Sequence, residues 1–171
     1  MERSGSISWL FDFDLGVSRI RAGAEAAREA GLPDFVINAR IDTFLTGFGG
    51  PEQCTSEAIR RANAYLKAGA RSVFVPGPVD APTIGALAKA IDGPLNAWGG
   101  VGDRLLPLDE LRELGVRRVS LGAGPMLATY AFAKRAFQTA AAGRSLEFAG
   151  AGQMFGELMT LMQKYRGPSV R

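Results

Sequence analysis

A partial (β/α)8 TIM-type barrel of four parallel strand-helix units, finished by a C-terminal helical arm, is the fold this 171-residue α/β sequence predicts. Three observations carry that expectation. Short strand-forming runs beginning at Phe35, Ser72, Leu95 and Val116 alternate with amphipathic helical stripes, and such alternation means a parallel sheet with right-handed crossovers. The connections between them are short and punctuated by glycine and proline. A whole eight-unit barrel needs roughly 250 residues, so four units are half of one.

Residues 1–13 hold Ile7, Trp9, Leu10, Phe11 and Phe13, an apolar cluster without a period: either a strand remnant or a segment covering an exposed edge. Asp14 to Ala30 reads as a helix, with Val17, Ile20, Ala24 and Ala27 in one stripe, an Arg21–Glu25 pair, and Gly31 as the stop. Phe35, Val36 and Ile37 open a strand that is apolar on both faces and runs into Arg40 and Asp42. Thr46 to Gln53 is rich in glycine, contains Pro51, and predicts a mobile loop at the ligand end. Thr55 or Ser56 would cap the next helix, whose buried stripe is Ala58, Ile59, Ala62, Tyr65 and Leu66.

The second strand is Ser72 to Val75. Asp80 then caps a helix with Pro82 in its first turn and Ile84, Leu87, Ala88 and Ile91 on its buried side. Leu95 to Trp98 is the third strand, followed by the loop Gly99, Gly100, Val101 and Gly102. Leu108 to Leu114 is a short helix closed by Gly115, and Val116 to Leu121 is the fourth strand. Pro125 opens a long helix carrying Met126, Tyr130, Ala133 and Phe137 on one face. The half-barrel is thus expected over 1–143, a linker over 144–151 and a last helix over 152–171, with Phe155, Leu158, Met159, Met162 and Tyr165 at helical spacing. The first and last strands of such a half would have unpaired edges. Either another chain or segment covers them, or the sequence is part of a longer protein.

Composition narrows the chemistry. At 47% apolar and 22% charged the chain is globular rather than disordered. A net charge of +3 is too mild to imply nucleic acid. No run approaches the roughly 20 apolar residues of a membrane span, and the first residues lack the features of a signal peptide. The single cysteine, Cys54, fits a reducing cytoplasm. The sequence contains no histidine, which excludes a Ser-His-Asp triad, a Cys-His pair and the usual zinc sites.

Four stretches, NARIDTFL, RRANAYLKAGARSVFVPG, PLNAWGG and GVRRVSLGAG, resemble the second half of the isocitrate lyase and phosphoenolpyruvate mutase family. The resemblance runs from about Asp14 to Gly143, with the four strand-end motifs in the family's order. It implies Mg2+-dependent cleavage of a C–C or P–C bond in a small 2-oxo or 2-hydroxy carboxylic acid. Because C-terminal helices in the family are exchanged between neighbouring subunits, the resemblance implies an oligomer in which the last helix is an arm on another copy, the alternative being that it packs on its own barrel. The family's metal ligands are acidic residues on earlier strands, so they are expected outside this chain.

Arg40 matches the family arginine that holds a substrate carboxylate. From the residues alone a structural ion pair with Asp42 or a neighbouring acid is the favoured reading; the resemblance selects the clamp, because a guanidinium at a strand's carboxyl end can grip a carboxylate with two parallel hydrogen bonds. Asp42 would orient Arg40 or cap the next turn. Asn38 would share Arg40's face by the strand's period of two, or turn away from it. Asn96 could hydrogen-bond a ligand or be a satisfied core amide. Pro76 stands where many carbon–carbon lyases of the family have glutamate, which argues against a citrate-type lyase. Asp12 and Asp14 spell a D-x-D motif that reads as helix capping. The Gly122–Gly124 turn resembles a phosphate-binding helix start, and it is equally the turn that any tight strand-to-helix connection needs. Arg117 and Arg118, near the amino end of a strand, read as solvated. Two outcomes are expected: an incomplete lyase or mutase domain, or a half-barrel that binds a carboxylate without turning it over.

Overall fold

The computed structural model describes residues 10–77, 80–99, 106–144 and 151–165. The chain divides into two units, Met1–Pro125 and Met126–Arg171. In the first unit α1 (Phe13–Glu29) starts at Asp12, whose carboxylate accepts from the Leu15 amide at 3.0 Å. That bond and the neighbouring amides hold the Asp12 carboxyl below the usual range, so the first aspartate of D-x-D is a helix cap. Gly31, at φ 75°, closes the helix: its own amide donates to Arg28 and the Leu32 amide to Ala27. Among the described residues no ion pair joins Arg21 to Glu25.

The strands are β1 (Asn38–Arg40), β2 (Ser72–Val75), β3 (Leu95–Trp98) and β4 (Arg118–Ser120). They pair in parallel in the order β1-β2-β3-β4. A strand order that never reverses is that of a barrel wall, whereas a doubly wound sheet changes direction at a switch point. Between the strands lie α2 (Thr43–Thr46), α3 (Pro51–Lys67), α4 (Ala81–Ala90) and α5 (Leu108–Glu113).

Alternation along the strands separates two faces. Ala39, Ile41, Val73, Val75, Leu95 and Ala97 are buried in one cluster with Ala58, Ala62 and Tyr65 of α3, Ile84 and Leu87 of α4, and Leu111 of α5. The opposite face carries Asn38, Arg40, Ser72, Phe74, Asn96, Trp98, Arg118 and Ser120. One side of the sheet is therefore the helix-covered core, and the other is the polar, inward side of a barrel wall. Asn63 ties α3 to the end of α4, donating to the Ala90 carbonyl and accepting from the Asp92 amide.

Three expectations need correction. Phe35 and Val36 are 58% and 57% exposed and lie outside the strand. The ladder begins only where the Arg71 amide meets the Ile37 carbonyl, and before that point no strand among the described residues lies beside β1. Only residues 47–50 of Thr46–Gln53 form a loop, between α2 and α3; the other half is helical. Helix α3 is not capped by Thr55 or Ser56; it starts at Pro51 behind Gly50, and the Thr55 hydroxyl donates back to the Pro51 carbonyl. Arg118 is exposed as the first residue of β4, as expected.

The remaining helices are α6 (Gly124–Ala141) and α7 (Ala151–Lys164). On α6, Met126, Tyr130 and Phe137 are exposed; in the second unit Phe155, Leu158, Met159, Met162 and Tyr165 are exposed as well. Ile7, Trp9, Gly100, Val101 and Gly102 lie outside the described residues.

Candidate functional site

Carboxyl ends of parallel strands are where barrel folds gather ligand-binding groups. Arg40 is the last residue of β1, and Gly77, just past β2, keeps the neighbouring connection close. At φ 119°, a Cβ on Gly77 would lie 2.6 Å from the Cβ of Phe44, so only glycine lets the β2–α4 connection pass against α2.

Arg40 donates from Nε to Asp42 Oδ1 at 2.7 Å, with side chains 50% and 24% exposed. The Asp42 side chain makes no capping bond to α2. Of its two expected roles, it takes the orienting one. No ion pair among the described residues engages the Nη1 and Nη2 atoms of Arg40, which leaves the forked edge of the guanidinium for a second acceptor.

Arg40, Leu45, Phe74, Pro76, Trp98, Arg118, Val119, Ser120, Leu121 and Gly122 line an open cleft of about 710 Å³ on the polar face. Its size suits a small organic ligand. Phe74, Trp98, Leu45 and Pro76 supply apolar wall, and the two arginines supply the charge. No carboxylate is among these lining residues.

Arg118, exposed at the start of β4 as expected, also borders the cleft, which sequence reasoning missed. The pairing aligns Arg40 with Phe74, Phe74 with Asn96, and Asn96 with Arg118. Partners in one row of a parallel sheet point to the same side, so Arg118 faces the cleft with Arg40 rather than the amino-end rim. Hydrogen-bond register decides this, and one strand read alone does not contain it.

Asn96 is fully buried, and its amide and the Ser120 hydroxyl bond each other, Nδ2 to Oγ being 2.9 Å. Of the two roles open to Asn96, this geometry is the satisfied core amide. Asn38 shares the face of Arg40, with its Oδ1 taken by the Ser72 hydroxyl at 2.7 Å.

Arg40 also borders a smaller cleft of about 240 Å³ with Leu10, Phe11, Asp42, Arg61 and Tyr65. Arg61 is buried there, donating to Glu57 at 2.7 Å and to the Tyr65 hydroxyl at 3.4 Å. Glu57 also takes both arms of Arg60, which stacks over the Phe13 ring at 3.7 Å. Hydrogen bonds from Arg60, then Arg61, hold the Glu57 carboxyl below its usual range. A cleft of about 540 Å³ near Pro33, Phe35 and Arg71 lies at the strands' amino ends, the side that stabilises barrels rather than the side that binds their ligands.

The phosphoenolpyruvate phosphomutase family model matches residues 2–141. An uncharacterized protein of Mycobacterium tuberculosis is 35% identical over 114 residues, covering 67% of this chain and 42% of that protein. A candidate lyase/mutase from Burkholderia cenocepacia J2315 superposes with a TM-score of 0.75 at 33% identity, over 86% of this chain and 52% of the other. The structure of 2,3-dimethylmalate lyase, a member of the PEP mutase/isocitrate lyase superfamily, gives 0.69 at 25% identity, over 91% and 54%. Phosphonopyruvate hydrolase, solved with oxalate and Mg2+, shares the fold at 21% identity, with a TM-score of 0.64 over 97% and 60%. The chain therefore spans less than half the length of the curated relative and just over half of the first two of these solved chains.

Proposed function

The chain belongs to the phosphoenolpyruvate phosphomutase family, and from that premise we propose that its Arg40 cleft holds the carboxylate of a small 2-oxo or 2-hydroxy acid in a lyase or mutase that breaks a C–C or P–C bond. One observation carries the reading: Asp42 fixes Arg40 through Nε alone, so the guanidinium is oriented while its fork stays available. A carboxylate docked on that fork gains two charge-assisted hydrogen bonds. Phe74 and Trp98 keep water from one side of it. The positive charge then stabilises negative charge that develops as the bond breaks.

Phosphonopyruvate hydrolase was solved with oxalate and Mg2+, and a magnesium ion supplies Lewis-acid stabilisation where it binds. The residues described here do not by themselves fit such an ion. Among them no three acidic, cysteine or histidine side chains converge, Asp42 is engaged by Arg40, and Asp12 and Asp80 cap helices. The chemistry proposed for this chain is therefore that of the Arg40 cleft itself.

A second reading, carboxylate binding without turnover, draws support from the cleft lining, whose described residues include no carboxylate, thiol or amine to move a proton. Cys54, buried and bonded through Sγ to the Phe48 and Thr43 carbonyls, supports a cytoplasmic location. The exposed Phe155, Leu158 and Met162 of α7 support a contact with another copy. No helix among the described residues is long and apolar enough to cross a membrane.

Calorimetric titration of the full chain with oxalate tests the proposal. Heat of binding that disappears in Arg40→Gln is the expected result. Equal binding by both proteins would refute it, and turnover assays with 2-oxo acids would then separate the lyase from the binding-only reading.

A further inference from the structure

We infer that a second copy of this chain closes the barrel, β4 of each copy pairing in parallel with β1 of the other. The inference is independent of the Arg40 clamp and concerns the two outer strands of the sheet. Among the described residues neither β1 nor β4 has a strand on its outer side. Such edges present rows of unpaired N–H and C=O groups to any strand that fits them.

The stagger of the sheet names the occupant. One row of partners runs through Arg40, Phe74, Asn96 and Arg118. Arg40 is the last residue of β1, Phe74 the third of β2, Asn96 the second of β3 and Arg118 the first of β4. The row therefore slips toward the amino ends by about one residue per strand, which is the slip of an eight-stranded barrel with a shear of about 8. Two such sheets related by a two-fold axis supply the eight strands and the whole shear, and no edge is left open.

The same slip fixes the register of the junction. Carried one strand further, it sets Val36 of one copy opposite Arg118 of the other, since Val36 precedes Arg40 by one residue for each strand crossed. Phe35 and Val36 are strand formers, yet they are 58% and 57% exposed. Pairing would extend β1 back through them. The backbone is already turned the right way: the Ile37 carbonyl and the Ile41 amide bond toward β2, so the alternate residues Val36 and Asn38 aim their N–H and C=O groups at the open edge. Closure also keeps like charges apart, because Arg40 lies about 13 Å further along its strand than the Val36 that meets Arg118.

The test is sedimentation equilibrium on the full chain, with a mass of twice the 18.1 kDa chain as the expected result. Val36→Pro removes an edge donor and spares the β1–β2 ladder, and Val36→Lys blunts the same edge with charge. Both variants should dissociate to monomers at least about tenfold more readily, with circular dichroism verifying that they fold. Met162→Glu, on α7, should leave the dimer intact. Neighbouring strands lie about 4.8 Å apart, within the Cα range of a disulfide. A mixture of Val36→Cys and Arg118→Cys chains should therefore form an intermolecular disulfide under mild oxidation, and neither variant should do so alone. A strict monomer overturns the inference, as does a dimer that survives both Val36 variants or one that gives no disulfide in the mixture. A dimer lost in Met162→Glu and kept in Val36→Pro overturns it as well and moves the contact to α7.

Discussion

Replacing Arg40 with lysine separates charge from geometry, because lysine keeps the positive charge and loses the planar fork. In the wild-type chain Nε is occupied by Asp42 at 2.7 Å, and a ligand carboxylate would take two further bonds on the Nη edge. A hydrogen bond to a charged group contributes about 1.5–3 kcal/mol. With half of the Arg40 side chain exposed, solvent screening favours the low end of that range. Lysine retains one bond and the charge, so its expected loss is about 1.5 kcal/mol, or roughly tenfold in Kd. Glutamine loses the charge and both bonds, about 3 kcal/mol or more, hence over a hundredfold. The assay is titration with oxalate at two salt concentrations, with circular dichroism to verify folding. A lysine variant within twofold of wild type would show that charge alone suffices and would refute the bidentate argument.

Asp42→Asn should leave the fold almost untouched, because partly exposed pairs contribute about 0.2–1 kcal/mol, yet oxalate affinity should fall several-fold as Arg40 loses its anchor; unchanged affinity would remove the orienting role. Gly77→Ala adds a Cβ 2.6 Å from that of Phe44 at φ 119°, and about 1–3 kcal/mol of strain predicts a Tm lower by several degrees in a thermal melt. Acid should destabilise the chain through Glu57. Its carboxyl is depressed in the folded state, so the unfolded chain binds the proton first, and the stabilisation present above the unfolded value of about 4.3 is lost as pH falls through the folded one. Glu57→Gln should flatten that part of a pH–Tm profile. Cys54 should resist thiol reagents in the native protein, since burial raises its pKa and the thiolate is the reactive form; rapid native-state labelling would contradict the buried placement.

Local signals in the chain were sufficient wherever an element is specified by its own residues. Strands Ser72–Val75 and Leu95–Trp98 run as their apolar runs and flanking prolines indicate. Helix α4 follows its Asp80 cap, which accepts from the Thr83 amide at 2.9 Å, and its buried Ile84 and Leu87. Arg40 and Asp42 were legible for the same reason: two residues apart, they carry their relationship in sequence. Family membership was legible too, because strand-end motifs are short and contiguous.

What needed three dimensions was everything set by a neighbour. Phe35 and Val36 have the composition of a buried strand, but burial depends on what lies alongside, and the partner strand begins only level with Asn38. Asn96 could have faced a ligand until Ser120, 24 positions later, took its amide. Arg118 reads as exposed charge in its own segment, and is, but that it also borders the cleft depends on a register passed across β2 and β3. Periodicity along one strand sets which side chains share a face. Hydrogen bonds between strands set which of them meet, and those bonds join residues too far apart in the chain for any local pattern to encode.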